Sequence, residues 1–151
     1  MRVLIQRVKC ANITVDGKLI NSIGRGLCLV ISISKYDTDK DIDYMSRKVL
    51  KLRLFKNEQQ RCTKNVMEED LEILCISQIT LYGELKTNSL DFRKSMPADS
   101  SKVLYQNFIS QLRSSYKPDA IKDGLFGTYM EYNVQNDGYV ICQLESPSKS
   151  S

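Results

Sequence analysis

One apolar segment of the chain ends in hydroxyl and amide side chains. The segment runs from Leu71 to Gly83, and its first half is apolar except for Glu72, as expected of a strand that is covered on both faces. Ser77, Gln78 and Thr80 then follow. Polar groups left unpaired at the end of a buried strand cost about 1 to 3 kcal/mol each, so they are either paired internally or bind a ligand. A strand that emerges into solvent turns polar in the same way, and both interpretations stay open for this segment alone.

Period two along an extended chain has a simple consequence for these side chains. It places Gln78 and Thr80 on one face of the strand and Ser77 and Ile79 on the other. The hydroxyl of Thr80 could act as a nucleophile only beside a base. The chain contains no histidine, so that base would have to be a lysine, a carboxylate or a group of the substrate.

The absence of histidine excludes several classes of reaction. Neither a Ser-His or Cys-His nucleophile pair nor a zinc site with histidine ligands can be built. The aspartates at positions 37, 39, 41 and 43 have the pattern of a solvated turn followed by a helix start. We therefore predict a reaction that uses no metal and no cofactor.

Length and composition indicate one globular domain. The chain has 151 residues, of which 42% are hydrophobic, and this suffices for a sizeable core. We predict a single domain over residues 1–146 and a disordered tail over residues 147–151. The longest apolar stretch, Leu27 to Ile33, is too short to span a bilayer, and the N-terminus has no secretory pattern. We expect a cytoplasmic protein without a membrane partner.

Basic residues fall into two groups along a chain of net charge +4. One group surrounds a predicted helix and the other follows the Leu71 to Gly83 segment; they comprise Arg47, Lys48, Lys51 and Arg53, and Lys86, Arg93 and Lys94. Such groups suit contacts to phosphates, although a charged helix face has the same composition.

The pattern of predicted elements is that of an α+β domain with a mainly antiparallel, curved sheet. The strands are predicted at Arg2 to Val8, in a hairpin around Asp16-Gly17, and at Leu27 to Ser34, 71 to 76, 127 to 135 and 139 to 145, the last two being hinged at residues 136–138. One helix begins after Thr38, and a second begins near Pro97 and ends before Pro118.

Two motifs and their surroundings resemble the D-aminoacyl-tRNA deacylases. The motifs are Ser77-Gln78-Ile79-Thr80-Leu81 and the turn at residues 136–140, which reads NDGYV. The segments MRVLIQRV at the N-terminus, LDF at 90–92 and FGTYM at 126–130 extend the likeness from Met1 to about Ser146. The signatures of that family are Ser-Gln-Phe-Thr-Leu and Asn-X-Gly-Pro-Val-Thr. This chain departs from them at Ile79, Tyr139 and Ile141.

The resemblance implies a fold, a reaction and an assembly. The fold is a barrel-like sheet system flanked by two helices, and the protein works as a homodimer with active sites near the interface. The reaction is hydrolysis of the ester bond of D-aminoacyl-tRNA, and of glycyl mischarged tRNA, as quality control in translation. The family is thought to use the ribose 2′-hydroxyl of the tRNA as the reacting group, without a metal.

The resemblance also assigns roles to individual residues. Ser77, Gln78 and Thr80 would be the catalytic residues. The substrate-binding residues would be Ile79, Gly138, Tyr139, Arg7, Phe92 and Met130.

The turn at Gly138-Tyr139 replaces a Gly-Pro pair that has a cis peptide bond in the family and excludes L-amino acids from the partner's site. A cis bond before tyrosine costs about 3 to 4 kcal/mol, so we predict a trans bond here, with relaxed stereochemical stringency. The loop from Ser89 to Arg93 also differs from the family's Lys-Pro-Asp-Phe-His.

Two hypotheses about function follow. The first is a D-aminoacyl-tRNA deacylase. The second is a catalytically silent, diverged relative that binds nucleic acid or a protein partner, which the altered turn at Tyr139 to Ile141 would favour.

Overall fold

The computed structural model describes residues 1–147. Its strands are β1 Arg2–Val15, β2 Lys18–Ile23, β3 Gly26–Ser32, β4 Phe55–Lys56, β5 Cys62–Lys64, β6 Glu72–Ser77, β7 Glu84–Lys86, β8 Ser89–Asp91, β9 Ile121–Asp123 and β10 Glu131–Glu145. Its helices are α1 Asp39–Lys51 and α2 Ala98–Ser115, with short 3-10 turns at Ile79–Tyr82 and Pro118–Ala120.

Six strands form the main sheet in the order β10-β1-β3-β6-β9, with β2 paired to the far end of β1. The pairs β1 to β10, β1 to β2 and β1 to β3 are antiparallel, whereas β3 to β6 and β6 to β9 are parallel. Two small hairpins, β4-β5 and β7-β8, are antiparallel as well. The predicted α+β class with a mainly antiparallel sheet and two main helices is confirmed.

The main sheet curls until β9, at one end of its strand order, approaches β2. Asn21 on β2 donates a hydrogen bond from Nδ2 to the main-chain oxygen of Asp123 at the end of β9, at 2.6 Å. Lys122 on β9 donates from Nζ to the main-chain oxygen of Ser22, at 3.0 Å. These contacts close the sheet into the barrel-like shape that was expected.

The two faces of the sheet cover two separate hydrophobic cores. The larger core lies between the sheet and the helices and includes Val3 and Ile5 of β1. The smaller core lies on the other face and includes Val8, Ala11 and Ile13 of the same strand. The odd-numbered residues of β1 therefore face the larger core at Val3 and Ile5 but the smaller core at Ala11 and Ile13. The face changes because register shifts interrupt the pairing of β1 with β10 between Gln6 and Cys10.

The local signals in the sequence predicted the hairpin and the first helix correctly. Asp16 and Gly17 both have positive φ, of 50° and 77°, as a two-residue primed turn requires. The Thr38 side chain caps α1 by accepting a hydrogen bond from Lys40 N, and the Thr38 amide donates to Asp41 Oδ2 at 2.8 Å. Both predictions are confirmed.

The prediction of two C-terminal strands hinged at residues 136–138 is wrong. Residues 131–145 form the single strand β10, because β1 pairs with it on both sides of an irregularity. Gln6 pairs with Ile141 and Val8 with Asn136, so Arg7 alone lies opposite residues 137–140. We call residues 137–140 the β10 bulge.

Within residues 1–147, none of the helices has the length and apolar character needed to cross a bilayer. The predicted tail of residues 147–151 lies outside the described residues except for Pro147, which is in neither a helix nor a strand.

Candidate active site

A pocket of about 460 Å³ opens where β6 ends. Its walls come from three segments: the end of β6 and the turn after it, the chain leading into α2, and the loop before β10. The lining residues are Ser77, Gln78, Ile79, Phe92, Ser95, Met96, Pro97, Ala98, Ser101, Phe126, Gly127 and Thr128. We call this space the strand-end pocket.

Main-chain hydrogen bonds hold the three walls of the strand-end pocket to the sheet. Gln78 donates its amide to the Ile31 oxygen of β3 at 2.8 Å, and Met96 donates to Ile33 at 3.0 Å. Gly124, in the loop after β9, donates to the Cys75 oxygen of β6 at 3.1 Å. The pocket is therefore a rigid extension of the buried strands β3 and β6.

The signature segment leaves the strand earlier than the period-two pattern assumed. The parallel pairing of β3 and β6 ends at Ile31 and Ser77, and residues 79–82 turn into a 3-10 helix. The prediction that Gln78 and Thr80 lie on one strand face and Ile79 on the other is therefore wrong. It assumed an extended strand, whereas the pairing of β6 with β3 stops at Ser77. Thr80 is exposed and is not among the residues that line the strand-end pocket.

The strand-end pocket is electrically neutral. None of the twelve residues that line it has a carboxylate, an amine, a guanidinium or a thiol. Behind its wall, the ring of Phe126 lies 5.6 Å from that of Tyr105, whose hydroxyl donates a hydrogen bond to Asp123. Burial raises the pKa of the Asp123 carboxyl, and the hydrogen bond from Tyr105 opposes that change. The pocket itself offers hydroxyl, amide and main-chain groups.

A second group of predicted residues meets at the β10 bulge. Arg7 is 4% exposed, and its Nε and Nη2 donate to the Asp137 oxygen at 3.1 and 3.0 Å. Its Nη1 donates to the Leu54 oxygen at 2.7 Å. Gly138 has a φ of 113°, and a Cβ on it would lie 2.6 Å from Arg7 Nη2. Only glycine therefore fits at this position.

The prediction of a trans bond between Gly138 and Tyr139 is wrong, since the bond is cis. The expectation considered the intrinsic cost of the bond alone. Arg7 binds the Asp137 carbonyl, next to this pair, from the opposite strand. The Tyr139 side chain points away from the core and is 74% exposed.

The structure brings together some of the predicted site residues and separates others. Ser77, Gln78, Ile79 and Phe92 share the strand-end pocket. Arg7, Gly138 and Tyr139 lie at the β10 bulge, and Thr80 lies outside the pocket. Met130 packs against the smaller core.

Several pocket residues were missed by reasoning from the sequence. They are Ser95, Met96, Pro97, Ala98, Ser101, Phe126, Gly127 and Thr128. Gly127 has a φ of 73°, and a glycine between two strand-like runs is a signal for such a loop. The residues before α2 carry no comparable signal, because an isolated bridge between Ser34 and Ser95 brings them to the sheet.

The cations of the basic loop after the signature strand are paired with carboxylates of the same loop. Lys86 Nζ and Arg93 Nε each lie 2.8 Å from Asp91 Oδ2, and Lys94 Nζ lies 2.5 Å from Glu84 Oε1. Two carboxylates thus offset two of the three charges of the second basic group, and each of its cations has a carboxylate partner. Across the part of the chain that the structure describes, no three of its cysteines, aspartates and glutamates cluster as metal ligands would.

The fold and the pocket together define a class of protein: an α+β domain with a barrel-like mixed sheet and a neutral pocket at the end of a parallel strand pair. Comparison with known proteins specifies the family. The model of the D-Tyr-tRNA(Tyr) deacylase family matches residues 4–145, and the chain belongs to that family.

Individual relatives agree with this assignment. The chain is 51% identical over 148 residues to "D-aminoacyl-tRNA deacylase 1" of Danio rerio, covering 97% of this chain and 72% of the relative. It is 48% identical over 149 residues to "D-aminoacyl-tRNA deacylase" of Drosophila melanogaster, covering 99% and 94%. The solved structure titled "c-Myc DNA Unwinding Element Binding Protein" superposes with a TM-score of 0.95 at 46% identity, covering 98% of this chain and 100% of that one.

Proposed function

We propose that this protein hydrolyses the ester bond of D-aminoacyl-tRNA, and of glycyl mischarged tRNA, and releases the free amino acid and the tRNA. Membership of the D-Tyr-tRNA(Tyr) deacylase family and the names of the Danio and Drosophila relatives support this reaction. The observation that carries the proposal is the neutral strand-end pocket, because an aminoacyl ester is already activated and needs positioning more than acid or base chemistry.

The chemistry in this pocket relies on the substrate. Since no lining side chain is ionisable, the ribose 2′-hydroxyl next to the ester is the group best placed to activate the water that attacks the ester carbonyl. The water oxygen bonds to the carbonyl carbon, the bond from that carbon to the ribose 3′-oxygen breaks, and the 3′-oxygen takes up the proton. Ser77, Gln78 and Ile79 would hold the terminal adenosine and the ester by hydroxyl, amide and main-chain contacts. Phe92 provides an apolar wall. Thr80 would contribute from outside the pocket.

The separation of the strand-end pocket from the β10 bulge supports a homodimer. Within one protomer Gly138 and Tyr139 do not line the pocket, so a second copy is needed to bring them to a substrate. Tyr139 and Ile141 are two residues apart on β10 and are 74% and 40% exposed, which suits burial against another chain. We propose that the β10 bulge of one protomer enters the strand-end pocket of its partner. Arg7 of the protomer that carries the bulge would support the bulge by binding the Asp137 oxygen.

The remaining parts of the proposal concern organisation and location. Residues 1–146 would act as one domain, since strands at both ends of this range pair in the same sheet. Tyr139 would contribute to substrate binding across the dimer, and Met130 would contribute through its packing behind the pocket wall. We place the protein in the cytoplasm, where aminoacyl-tRNA is consumed.

Three substrates test the reaction: D-tyrosyl-, glycyl- and L-tyrosyl-tRNA, incubated separately with purified protein. We expect release of D-tyrosine and glycine. If no amino acid is released from any of the three, the hydrolytic function is wrong. Comparable release of L-tyrosine would support relaxed stringency, and strict selectivity for the D-residue would argue against it.

The role of the ribose 2′-hydroxyl is tested with tRNA that ends in 2′-deoxyadenosine, esterified at the 3′-hydroxyl. We expect this substrate to bind but not to be hydrolysed, whereas Thr80→Ala keeps most of its activity on normal substrate. Rapid hydrolysis of the deoxy substrate, together with inactive Thr80→Ala, would instead make the threonine hydroxyl the nucleophile.

The alternative of a silent relative is not favoured, because the relatives that match over nearly the whole chain carry the names of deacylases.

A further inference from the structure

A groove of about 320 Å³ lies directly beside the β10 bulge. Arg25 and Lys56 line it together with Arg7 and Asp137. Beyond Lys56 it continues into a wider depression of about 820 Å³, to which Arg53 contributes. We call these two connected spaces the basic groove.

The cations of the basic groove differ from those of the loop after the signature strand. Arg25, Arg53 and Lys56 are exposed, and within residues 1–147 none of them forms an ion pair. The Arg25 guanidinium lies over the ring of Phe55, 5.8 Å from its centroid, so its position is partly fixed.

The carboxylates around the groove leave this positive charge in place. Asp137 lines the narrow part, but its Oδ2 lies 3.5 Å from Arg7 Nε and is directed to that cation. Glu58 and Glu69 line only the wider part. The narrow part therefore has two cations, Arg25 and Lys56, that are available to an anion from outside.

Arg7 couples the groove to the β10 bulge. One side of its guanidinium binds the Leu54 oxygen just before β4, and the other binds the Asp137 oxygen in the bulge. The β4-β5 hairpin that carries Lys56 is closed by a hydrogen bond from Asn57 N to the Arg61 oxygen at 2.8 Å. Arg7 thus bridges the segment that leads into Lys56 and the segment that leads into Gly138.

We propose that Arg25, Lys56 and Arg53 bind phosphates of the single-stranded 3′ end of aminoacyl-tRNA, an inference that rests on the proposed function. If the bulge enters the partner's pocket beside the terminal adenosine, the preceding nucleotides pass the groove that borders the bulge. Cations without carboxylate partners are suited to bind such phosphodiesters, because each contact releases counterions from the RNA. Contacts of this kind do not depend on the nucleotide sequence. The groove would supply affinity for tRNA and leave the chemistry to the strand-end pocket.

The test uses uncharged tRNA, intact or lacking its 3′-terminal single-stranded nucleotides, and measures binding over a range of salt concentrations. The variant is Arg25→Gln with Lys56→Gln. The matched control is Lys18→Gln with Lys40→Gln, two exposed lysines that line neither part of the groove and remove the same charge. Urea unfolding of each variant verifies that the fold is kept.

For intact tRNA we expect the slope of log affinity against log salt to fall by about 1.4 in the groove variant, because each cation that binds a single-strand phosphate contributes about 0.7 to that slope. The control should keep a steeper slope than the groove variant. Removing the 3′ nucleotides should weaken binding by the wild-type protein more than binding by the groove variant, since the contacts of Arg25 and Lys56 are lost in both changes. Equal slopes for groove variant and control, or additive effects of variant and truncation, would overturn the proposal.

Activity measurements separate this proposal from the proposed function. With D-tyrosyl-tRNA the groove variant should raise KM at unchanged kcat, while the control keeps both. A wild-type protein that hydrolyses this substrate, with a groove variant of unchanged KM, would overturn the groove and leave the reaction intact. If the wild-type protein hydrolyses nothing, the reaction is wrong, and the binding experiment with uncharged tRNA still decides whether the groove binds the 3′ end.

Discussion

Replacement of Arg7 by lysine tests the role of this buried side chain most directly. The guanidinium binds two main-chain oxygens at once, those of Asp137 and Leu54, at 2.7 to 3.1 Å. A lysine ammonium keeps the charge but lacks the planar fork, so it reaches one of the two oxygens and leaves the other unpaired. An unpaired buried acceptor costs about 1 to 3 kcal/mol, and for these partly buried oxygens we expect Arg7→Lys to lower the free energy of unfolding by about 2 kcal/mol.

Urea unfolding at neutral pH measures this loss as a shift of the midpoint at an unchanged slope. Arg47→Lys is the control, because Arg47 is exposed on α1 and its replacement should change stability by less than about 0.5 kcal/mol. In the deacylation assay Arg7→Lys should also reduce the preference for D- over L-tyrosyl-tRNA, since the bulge loses one of its anchors. If Arg7→Lys is as stable and as selective as Arg47→Lys, the bridging role assigned to Arg7 is incorrect.

Three further predictions follow from burial and capping. Burial raises the pKa of Asp123, so the contribution of this carboxyl to stability is largest where it is protonated and is lost as pH rises through the raised pKa. Thermal melts of Asp123→Asn should therefore show a stability that increases, relative to wild type, as pH rises from acidic to neutral. A difference that does not depend on pH would contradict this. Burial raises the pKa of Cys28 to about 11, so iodoacetamide at neutral pH should label the exposed Cys10 and Cys62 but label Cys28 only after the protein unfolds. Peptide mass spectrometry measures the labelling, and equal labelling of the three cysteines in the folded protein would refute the prediction. Thr38→Ala removes the cap of α1 and should cost about 1 kcal/mol in urea unfolding, whereas an unchanged midpoint would mean that the cap contributes nothing.

Local chemistry explains which parts of the fold could be predicted from the sequence. The Asp16-Gly17 turn and the Thr38 cap depend on residues within four positions of each other, and both were predicted correctly. The β10 bulge depends on a pairing between Arg7 and residues 137–140. Nothing in the local sequence fixes such a register, so two strands and a hinge were the natural interpretation.

The candidate site shows the same division. Ser77 and Gln78 could be located because the apolar run stops at them, and both line the strand-end pocket. The position of Thr80 could not be predicted, because it depends on where β3 stops supplying a partner to β6. Ser95 and Thr128 reach the pocket from segments distant in sequence, through the bridge to Ser34 and the loop after β9.

The change of face along β1 has a consequence for how the domain comes apart. Val3 and Ile5 are embedded in the larger core, and Val8, Ala11 and Ile13 are embedded in the smaller one, yet all five belong to one continuous strand. Neither core can therefore unfold on its own, because displacing β1 from one core also displaces it from the other. The amides of β1 should exchange with solvent only through global opening, and denaturation should appear as one cooperative transition.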